Sequence, residues 1–217
     1  MRRSLLLGLA LGVVALALLD AALARAGLVD GAIPRTGDSW PWLLSRAAGV
    51  TAYVALSLDV VLGLLVSTRL GDRIFARGSA IELHRWLSAS ALGLSGAHAT
   101  VLLLGDHVRF DALDALLPFA SAFKPLAVGV GVLGLHLALA VHFSFELRSL
   151  IGPGTWRRLH YASFGVFALA TGHAALAGTD AGAPWLAMLL ASSTALVAGL
   201  TVHRVVVATR RAHARPR

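Results

Sequence analysis

Residues 84–98 read HRWLSASALGLSGAH, and residues 160–173 read HYASFGVFALATGH. Each stretch begins and ends with a histidine, and these are fourteen residues apart in the first stretch and thirteen in the second. Nearly all the residues between them are small or apolar, as in helices that cross a bilayer. Titratable side chains inside a bilayer are costly and usually mark a function. The two stretches therefore indicate both the fold and the place of the functional site.

The whole chain is far more apolar than a soluble domain of its size. Its 217 residues are 57% hydrophobic and 14% charged, whereas soluble domains carry about 25% charged residues. Backbone groups in lipid must be satisfied within the segment, so apolar blocks of about twenty residues are expected to be helices. We predict one all-α integral membrane domain over residues 1–217, with six transmembrane helices and both termini cytoplasmic. The predicted spans are 4–24, 43–67, 82–104, 125–147, 159–177 and 184–207.

The basic residues are distributed unevenly between the two predicted faces of the membrane. The chain has a net charge of +8, and fourteen of its 19 basic residues fall on the face that holds both termini, with only three acids. The opposite face holds five basic residues and seven acids. By the positive-inside rule the arginine-rich face is cytoplasmic. The excess charge is therefore expected to meet anionic lipid, not nucleic acid. The predicted location is the inner (cytoplasmic) membrane of a bacterium.

The first predicted span permits a second interpretation. Residues 1–24 begin with Met-Arg-Arg, continue with an apolar run and end in Ala-Leu-Ala, a pattern typical of a secretory signal peptide. A retained helix is favoured because the apolar run is long. Its Gly8 and Gly12 form a GxxxG pattern that permits close helix packing. Cleavage would leave five spans with an unchanged orientation.

The depths of the four histidines predict two pairs. Because a helix rises about 1.5 Å per residue, the two histidines of each stretch lie about 20 Å apart along the axis. His84 and His160 fall near the cytoplasmic ends of their spans, whereas His98 and His173 fall toward the outside. Two axial imidazoles are what a low-spin b-type haem requires. Since the chain has no cysteine, thiolate ligands, iron–sulfur clusters and covalent haem attachment are excluded.

The thirteen-residue spacing does not fit a straight helix. Thirteen residues leave the second histidine about 140° away from the face of the first. We therefore expect the fifth span to be kinked or bulged, with Gly165 and Gly172 as candidate positions, or the two haems to sit at different azimuths. A lone intramembrane histidine such as His136 or His142 is more typical of a hydrogen bond between helices. A haem-free proton relay or metal transporter, and a sensor or assembly factor with structural haem, remain alternatives.

Several short motifs resemble one family. The paired histidine spacing on the third and fifth spans is similar to that of the ferric reductase-like transmembrane domain superfamily. That superfamily includes NADPH oxidases, ferric reductases and the haem subunits of bacterial methionine sulfoxide reductase systems. The resemblance covers about residues 40–180, the predicted haem core. Further matching segments are Arg46-Ala-Ala-Gly-Val-Thr-Ala-Tyr53, Leu83-His-Arg85, Leu117-Pro-Phe-Ala-Ser121, Trp156-Arg-Arg-Leu-His-Tyr161 and Gly178-Thr-Asp180.

The resemblance implies a cytochrome that carries single electrons outward through two b-type haems. His84 with His160 would hold the inner haem, and His98 with His173 the outer one. Flavin- and nucleotide-binding domains follow the sixth helix in the longer members, but only about ten residues follow it here and no dinucleotide motif is present. The expected electron donor is therefore a separate flavoprotein, a bound flavin or membrane menaquinol. The acceptor is expected to be ferric ion, oxygen or an extracytoplasmic partner protein, and a quinol-oxidising subunit of a larger enzyme is an alternative.

Four other charged residues are candidates for the site. Arg46, Arg85 and Arg158 lie at the depths of the predicted haems and are candidate partners for haem propionates, which need cationic or hydrogen-bonding groups. Asp59 is a lone carboxylate within the second span, where a charge is expensive. It either orients an inner ligand histidine, takes part in quinol or proton chemistry, or bonds to a neighbouring serine or arginine.

The longest predicted outer loop is acidic. Residues 105–124 contain Asp106, His107, Asp111 and Asp114. Such a loop is a candidate site for ferric ion or for docking a partner, although most loops of this kind are simply solvated.

Overall fold

A computed structural model describes residues 40–73, 76–104, 110–178 and 180–213. These residues are 85% helical, and no strand occurs among them. The all-α prediction is therefore confirmed for this part of the chain. The predicted first span, with its Gly8–Gly12 pattern, lies outside the described residues, as do Asp106 and His107.

The described helices are α1 (Trp40–Thr68), α2 (Arg77–Leu102), α3 (Ala112–Leu116), α4 (Pro125–Ser144), α5 (Arg148–His160), α6 (Ser163–Ala177) and α7 (Pro184–His213), with a 3-10 turn over Leu70–Arg73. Three of them are long and apolar enough to cross a membrane: α1, α4 and the Pro184–Arg210 part of α7. Helix α6 is a shorter apolar helix. Helix α2, which carries His84 and His98, begins with an exposed turn that contains Arg77, and this turn lowers its apolar character.

Helix α1 is the centre of the packing. It packs antiparallel along α2, and it also contacts α6 and α7, while α4 packs antiparallel along α6. The Tyr53 hydroxyl of α1 bonds to Ser193 Oγ of α7 at 2.7 Å and lies 3.2 Å from Thr171 Oγ1 of α6. The Tyr53 ring stacks on Phe167 of α6. One buried aromatic side chain thus joins three helices by both packing and hydrogen bonds.

The outside of the molecule carries large apolar side chains. Leu150, Met188, Leu126 and Val202 are 82%, 71%, 65% and 63% exposed. In water so many exposed apolar side chains would drive association, whereas in a bilayer they face acyl chains at no cost. The exposed apolar surface is therefore consistent with a lipid environment.

The predicted fifth span is divided between two helices. Helix α5 ends at His160, two turn residues follow, and α6 begins at Ser163. Around this turn the hydrogen bonds tighten to the three-residue pattern, as in Ala162 N–H to Leu159 O and Phe164 N–H to Tyr161 O. A 3-10 segment turns about 120° per residue instead of about 100°. The distortion predicted from the thirteen-residue spacing is thus present, but it lies at Tyr161–Ala162, not at Gly165 or Gly172.

The chain between α4 and α6 differs from its predicted form. A kink at Gly152, whose φ is 79°, divides α5, and Pro153 opens the second part six residues before the start of the predicted span 159–177. Pro suits the first helical turn because its missing N–H costs nothing there. Trp40 and Trp42, which precede the predicted span 43–67, belong to the first turn of α1.

Candidate paired-histidine site

His98 and His173 lie side by side between α2 and α6. Their ring centroids are 6.0 Å apart, and their planes make an angle of 75°. His98 Nδ1–H donates to the carbonyl oxygen of Ser45 on α1 at 2.8 Å, and the Ser45 hydroxyl donates to the His98 carbonyl at 3.1 Å. His173 Nδ1–H donates to the carbonyl oxygen of Ala127 on α4 at 2.8 Å. Each ring is therefore held by a neighbouring helix.

His84 and His160 form a second pair toward the other end of the bundle. Their ring centroids are 6.1 Å apart and their planes make an angle of 81°. His84 Nδ1–H donates to the carbonyl oxygen of Asp59 on α1 at 3.1 Å. On a straight helix the fourteen residues between His84 and His98 place the two pairs about 21 Å apart.

Three of the four imidazoles are seated in the same local arrangement, which we call an imidazole notch. A notch consists of a helix carbonyl that accepts from the ring Nδ1–H and a glycine four residues later that faces the ring. That glycine donates its own N–H to the same carbonyl within the helix, so its missing side chain leaves the oxygen open to a second donor. The three notches are Ser45/Gly49 for His98, Asp59/Gly63 for His84 and Ala127/Gly131 for His173.

The glycines of the notches have no room for a side chain. A Cβ at Gly131 would lie 2.5 Å from His173 Nδ1, and one at Gly49 would lie 2.9 Å from His98 Nδ1. At Gly63 the nearest atom would be His84 Cε1, at 3.2 Å. The two notches of α1 are fourteen residues apart, the same spacing as His84 and His98 on the antiparallel α2. This matched register seats both α2 histidines at once.

The notches fix which ring nitrogen is available to a ligand. A carbonyl oxygen can only accept, so Nδ1 carries the proton in His84, His98 and His173, and in the neutral imidazole Nε2 then keeps its lone pair. A metal-ligating histidine is generally oriented through its other nitrogen in this way. With metal–nitrogen bonds of about 2 Å, two imidazoles on opposite sides of one metal ion would have centroids about 6 Å apart. The observed separations of both pairs fit that arrangement.

His160 is held differently from the other three. It is the last residue of α5, and no notch of the kind described above faces its ring among the described residues. Instead its ring stacks on Trp156, with centroids 5.3 Å apart and planes 28° from parallel. The turn at Tyr161–Ala162 separates His160 from α6, the helix on which His173 contacts α4.

Asp59 is placed against the ring of His84. Its Oδ1 lies 2.7 Å from His84 Nδ1, and its side chain is 11% exposed. The ring N–H points at the Asp59 backbone oxygen, so the carboxylate oxygen lies close to Nδ1 without forming a second aligned hydrogen bond. No other hydrogen-bond partner of this oxygen occurs among the described residues. Of the three roles considered for Asp59, contact with the inner histidine is the one for which the structure provides geometry.

A largely apolar cavity of about 290 Å³ opens beside the His98–His173 pair. It lies between α1, α2, α4 and α6 and reaches as far as Asp59 and His142. Arg46, also in its wall, forms a forked ion pair with Asp180, with Nη2 2.6 Å from both carboxylate oxygens. A flat, mostly apolar ligand with a charged edge matches such a space.

The other predicted site residues are placed as follows. The guanidinium of Arg85 lies over the Phe145 ring at 5.4 Å, and Arg158 is exposed on α5. A propionate role for Arg46, Arg85 and Arg158 stays a prediction. Asp111 and Asp114 form a reciprocal capping box at the start of α3, which occupies both carboxylates locally. His142 bonds to Ser88 across α4 and α2, the helix-joining role expected of a lone histidine.

The sequence reasoning did not identify the notch residues. Ser45, Gly49, Gly63, Ala127 and Gly131 were not among the predicted site residues, although Asp59 was. A signal was present, because Ser45-x3-Gly49 and Asp59-x3-Gly63 repeat at the same fourteen-residue interval as the histidines of α2. Which glycines face the histidine rings could be determined only from the register in which the helices pack against one another.

Two further findings bear on the nature of the site. Within the described parts of the chain, no cluster of three or more histidine, cysteine, aspartate or glutamate side chains is placed to hold a metal ion. Haem needs only two axial ligands from the protein, because the porphyrin supplies the other four.

No family model, no curated protein and no solved structure matches the chain.

Proposed function

We propose that the protein is a membrane cytochrome that binds two b-type haems and carries single electrons across a bacterial inner membrane. In this proposal the chain forms six transmembrane helices with both termini cytoplasmic. His84 and His160 would hold the inner haem, and His98 and His173 would hold the outer one. The observation that carries the proposal is the presence of two imidazole pairs, each with ring centroids about 6 Å apart, at two levels of one helical bundle.

The site supports haem in preference to a bare metal ion. Each level offers two imidazoles, and three of the four rings have their Nε2 lone pair left for a ligand by the notches. Helix carbonyls and glycines orient the rings in advance, which lowers the entropic cost of binding. Bound haem would supply reversible one-electron chemistry, with bis-histidine ligation favouring electron transfer over ligand binding. The apolar lining of the cavity would keep water from the outer pair.

The partners in this proposal follow from the two faces of the membrane. The donor is a separate flavoprotein, a bound flavin or menaquinol on the cytoplasmic side or in the bilayer. The acceptor is an extracytoplasmic ferric ion, oxygen or partner reductase. The resemblance to the ferric reductase-like superfamily supports this direction, and the exposed apolar helices support the lipid environment.

The first test is haem quantitation with a reduced-minus-oxidised visible spectrum of the purified protein, expressed with adequate haem. We expect about two b-haems per chain with low-spin bands. His98→Ala and His84→Ala are each expected to lose one haem, because each removes one axial ligand of a different pair. His136→Ala is the matched control, since His136 is exposed on α4 and belongs to neither pair.

The alternatives give different results in the same experiment. One haem per chain would contradict the two-haem proposal and remove one pair from it. No haem would refute the proposal and leave a haem-free metal or proton transporter. Equal loss in the His136→Ala control would show that haem loss reflects general misfolding. In a separate experiment, reduction by a menaquinol analogue, compared with dithionite, would identify quinol as the electron donor.

A further inference from the structure

The two histidine pairs differ in the charge that touches them. At the His98–His173 pair both Nδ1 groups donate to neutral carbonyl oxygens, those of Ser45 and Ala127. At the His84–His160 pair the notch of α1 adds a carboxylate, with Asp59 Oδ1 2.7 Å from His84 Nδ1. Ser45 and Asp59 occupy equivalent positions of the two notches, fourteen residues apart. The same scaffold therefore carries a hydroxyl at one level and a carboxylate at the other.

The surrounding charges do not cancel this difference. Asp180, an acid in the cavity wall beside the His98–His173 pair, is neutralised by its forked ion pair with Arg46. Near the other pair, the guanidinium of Arg204 lies over the exposed ring of Tyr161 and bonds to its hydroxyl. The positive charge of Arg204 also reaches His160, but its effect is smaller than that of Asp59, which in addition contacts His84. Among the described residues, no lysine or arginine pairs with the buried Asp59 carboxylate.

We infer that Asp59 is a positioning residue that makes the haem of the His84–His160 pair the lower-potential one of the two. The inference rests on the proposed function. It adds that the difference in redox potential between the two haems is set by one side chain of α1. Electron transfer from the inner haem to the outer one is consequently favourable.

The physical reason is the charge on the axial ligand. The Asp59 carboxylate places a negative charge beside the His84 imidazole, and this charge favours a higher positive charge on a metal held at Nε2. Ferric haem carries one more positive charge than ferrous haem, so a buried negative charge stabilises the oxidised state more. A carbonyl oxygen has only a partial charge and does this less. The structure thus favours oxidised iron at the level where electrons would enter.

The test is a potentiometric titration of haem absorbance in the purified wild type and in Asp59→Asn. The substitution keeps the size of the side chain and the backbone carbonyl while removing the charge. We expect the titration to show two reduction waves, one for each haem, and one of them to move to higher potential in Asp59→Asn. The expected shift is at least tenfold in the equilibrium constant for reduction, which corresponds to about 59 mV for one electron. The other wave is expected to stay in place. His98→Ala, which retains only the His84–His160 haem, identifies the wave that moves.

Two further variants make the test decisive. Asp72→Asn removes an exposed carboxylate of the 3-10 turn and is the matched control, with neither wave expected to move. Ser45→Asp places a carboxylate in the equivalent notch, and it is expected to lower the wave of the His98–His173 haem. It tests the inference even if Asp59→Asn fails to retain haem.

The outcomes separate this inference from the function on which it rests. If the wild type binds no haem, the proposed function fails. If it binds two haems, and Asp59→Asn moves neither wave or moves both equally, the inference is overturned while the function stands. The inference is also overturned if Asp59→Asn loses haem and Ser45→Asp leaves the wave of the His98–His173 haem in place. A shift confined to the His84–His160 wave supports it.

Discussion

Replacing Gly131 by alanine adds one methyl group at the tightest of the three imidazole notches. The new Cβ would lie 2.5 Å from His173 Nδ1, whereas ordinary contact begins near 3.4 Å. The ring would have to retreat by about 0.9 Å and would lose its 2.8 Å hydrogen bond to Ala127 O. Overpacking of this kind costs about 1–3 kcal/mol, and the lost hydrogen bond costs about 1 kcal/mol more.

Part of this cost is offset, because alanine is better than glycine in a helix by about 1 kcal/mol. The expected net loss is about 1–3 kcal/mol, which lowers Tm by several degrees in a chain of this size. Gly49→Ala, with its nearest contact at 2.9 Å, is expected to lose less, and Gly63→Ala, at 3.2 Å, least. Thermal unfolding in detergent and haem content per chain measure the series. Gly131→Ala and Gly49→Ala are expected to lower occupancy at the His98–His173 level.

Gly199→Ala is the control, since a Cβ on this α7 glycine would meet nothing within 4 Å. It is expected to leave haem content unchanged and to stabilise slightly. If Gly131→Ala behaves like Gly199→Ala in both Tm and haem content, then the explanation that the glycine leaves the space needed by the imidazole ring is wrong. A uniform loss across all four variants would also contradict the ordering that the distances predict.

Three other perturbations test the scaffold. Replacing Arg46 by Gln or Asp180 by Asn should each lower Tm, and a double-mutant cycle should give a coupling of about 0.5–3 kcal/mol; additive effects would show that the forked pair is not an energetic unit. Tyr53→Phe should cost about 1 kcal/mol in unfolding free energy, because the ring packing stays while the bond to Ser193 is lost; a loss above about 3 kcal/mol would point to repacking instead. Gly152→Ala should destabilise by about 1–3 kcal/mol through its backbone conformation alone (φ 79°, ψ 154°), since no atom crowds the new Cβ; unchanged unfolding would show that the kink relaxes.

The sequence predicted the helical class and the bounds of the apolar helices well, because both depend on composition and local chemistry. The second, fourth and sixth predicted spans match α1, α4 and α7 within a few residues at most ends, with Pro125 and Pro184 at their helix starts. Proline favours that position whatever the tertiary structure. The number of six spans and the cytoplasmic location of the termini stay predictions.

The candidate site was predictable as far as spacing alone determines it. The thirteen-residue interval indicated either a distortion between His160 and His173 or two haems at different azimuths. Helical geometry did not decide between them, and the place of the turn depended on packing. The contact between Asp59 and His84 depended on the register of α1 against α2, which no single helix contains. Gly49 and Gly63 were inconspicuous in a chain with 22 glycines until their partners across the helix interface were known.

The two notches of α1 fix the distance between the two histidine pairs, because both notches lie on one continuous helix. A helix turns about 100° per residue, so a single inserted residue between Gly49 and Gly63 would swing one notch away while leaving the other in place. Sliding α2 by one turn would unseat both rings together. The separation of the two levels is therefore set by a residue count within α1 and not by the thickness of the bilayer. A change of lipid that tilts the protein or thins the bilayer would therefore move both histidine pairs together, without changing the distance between them.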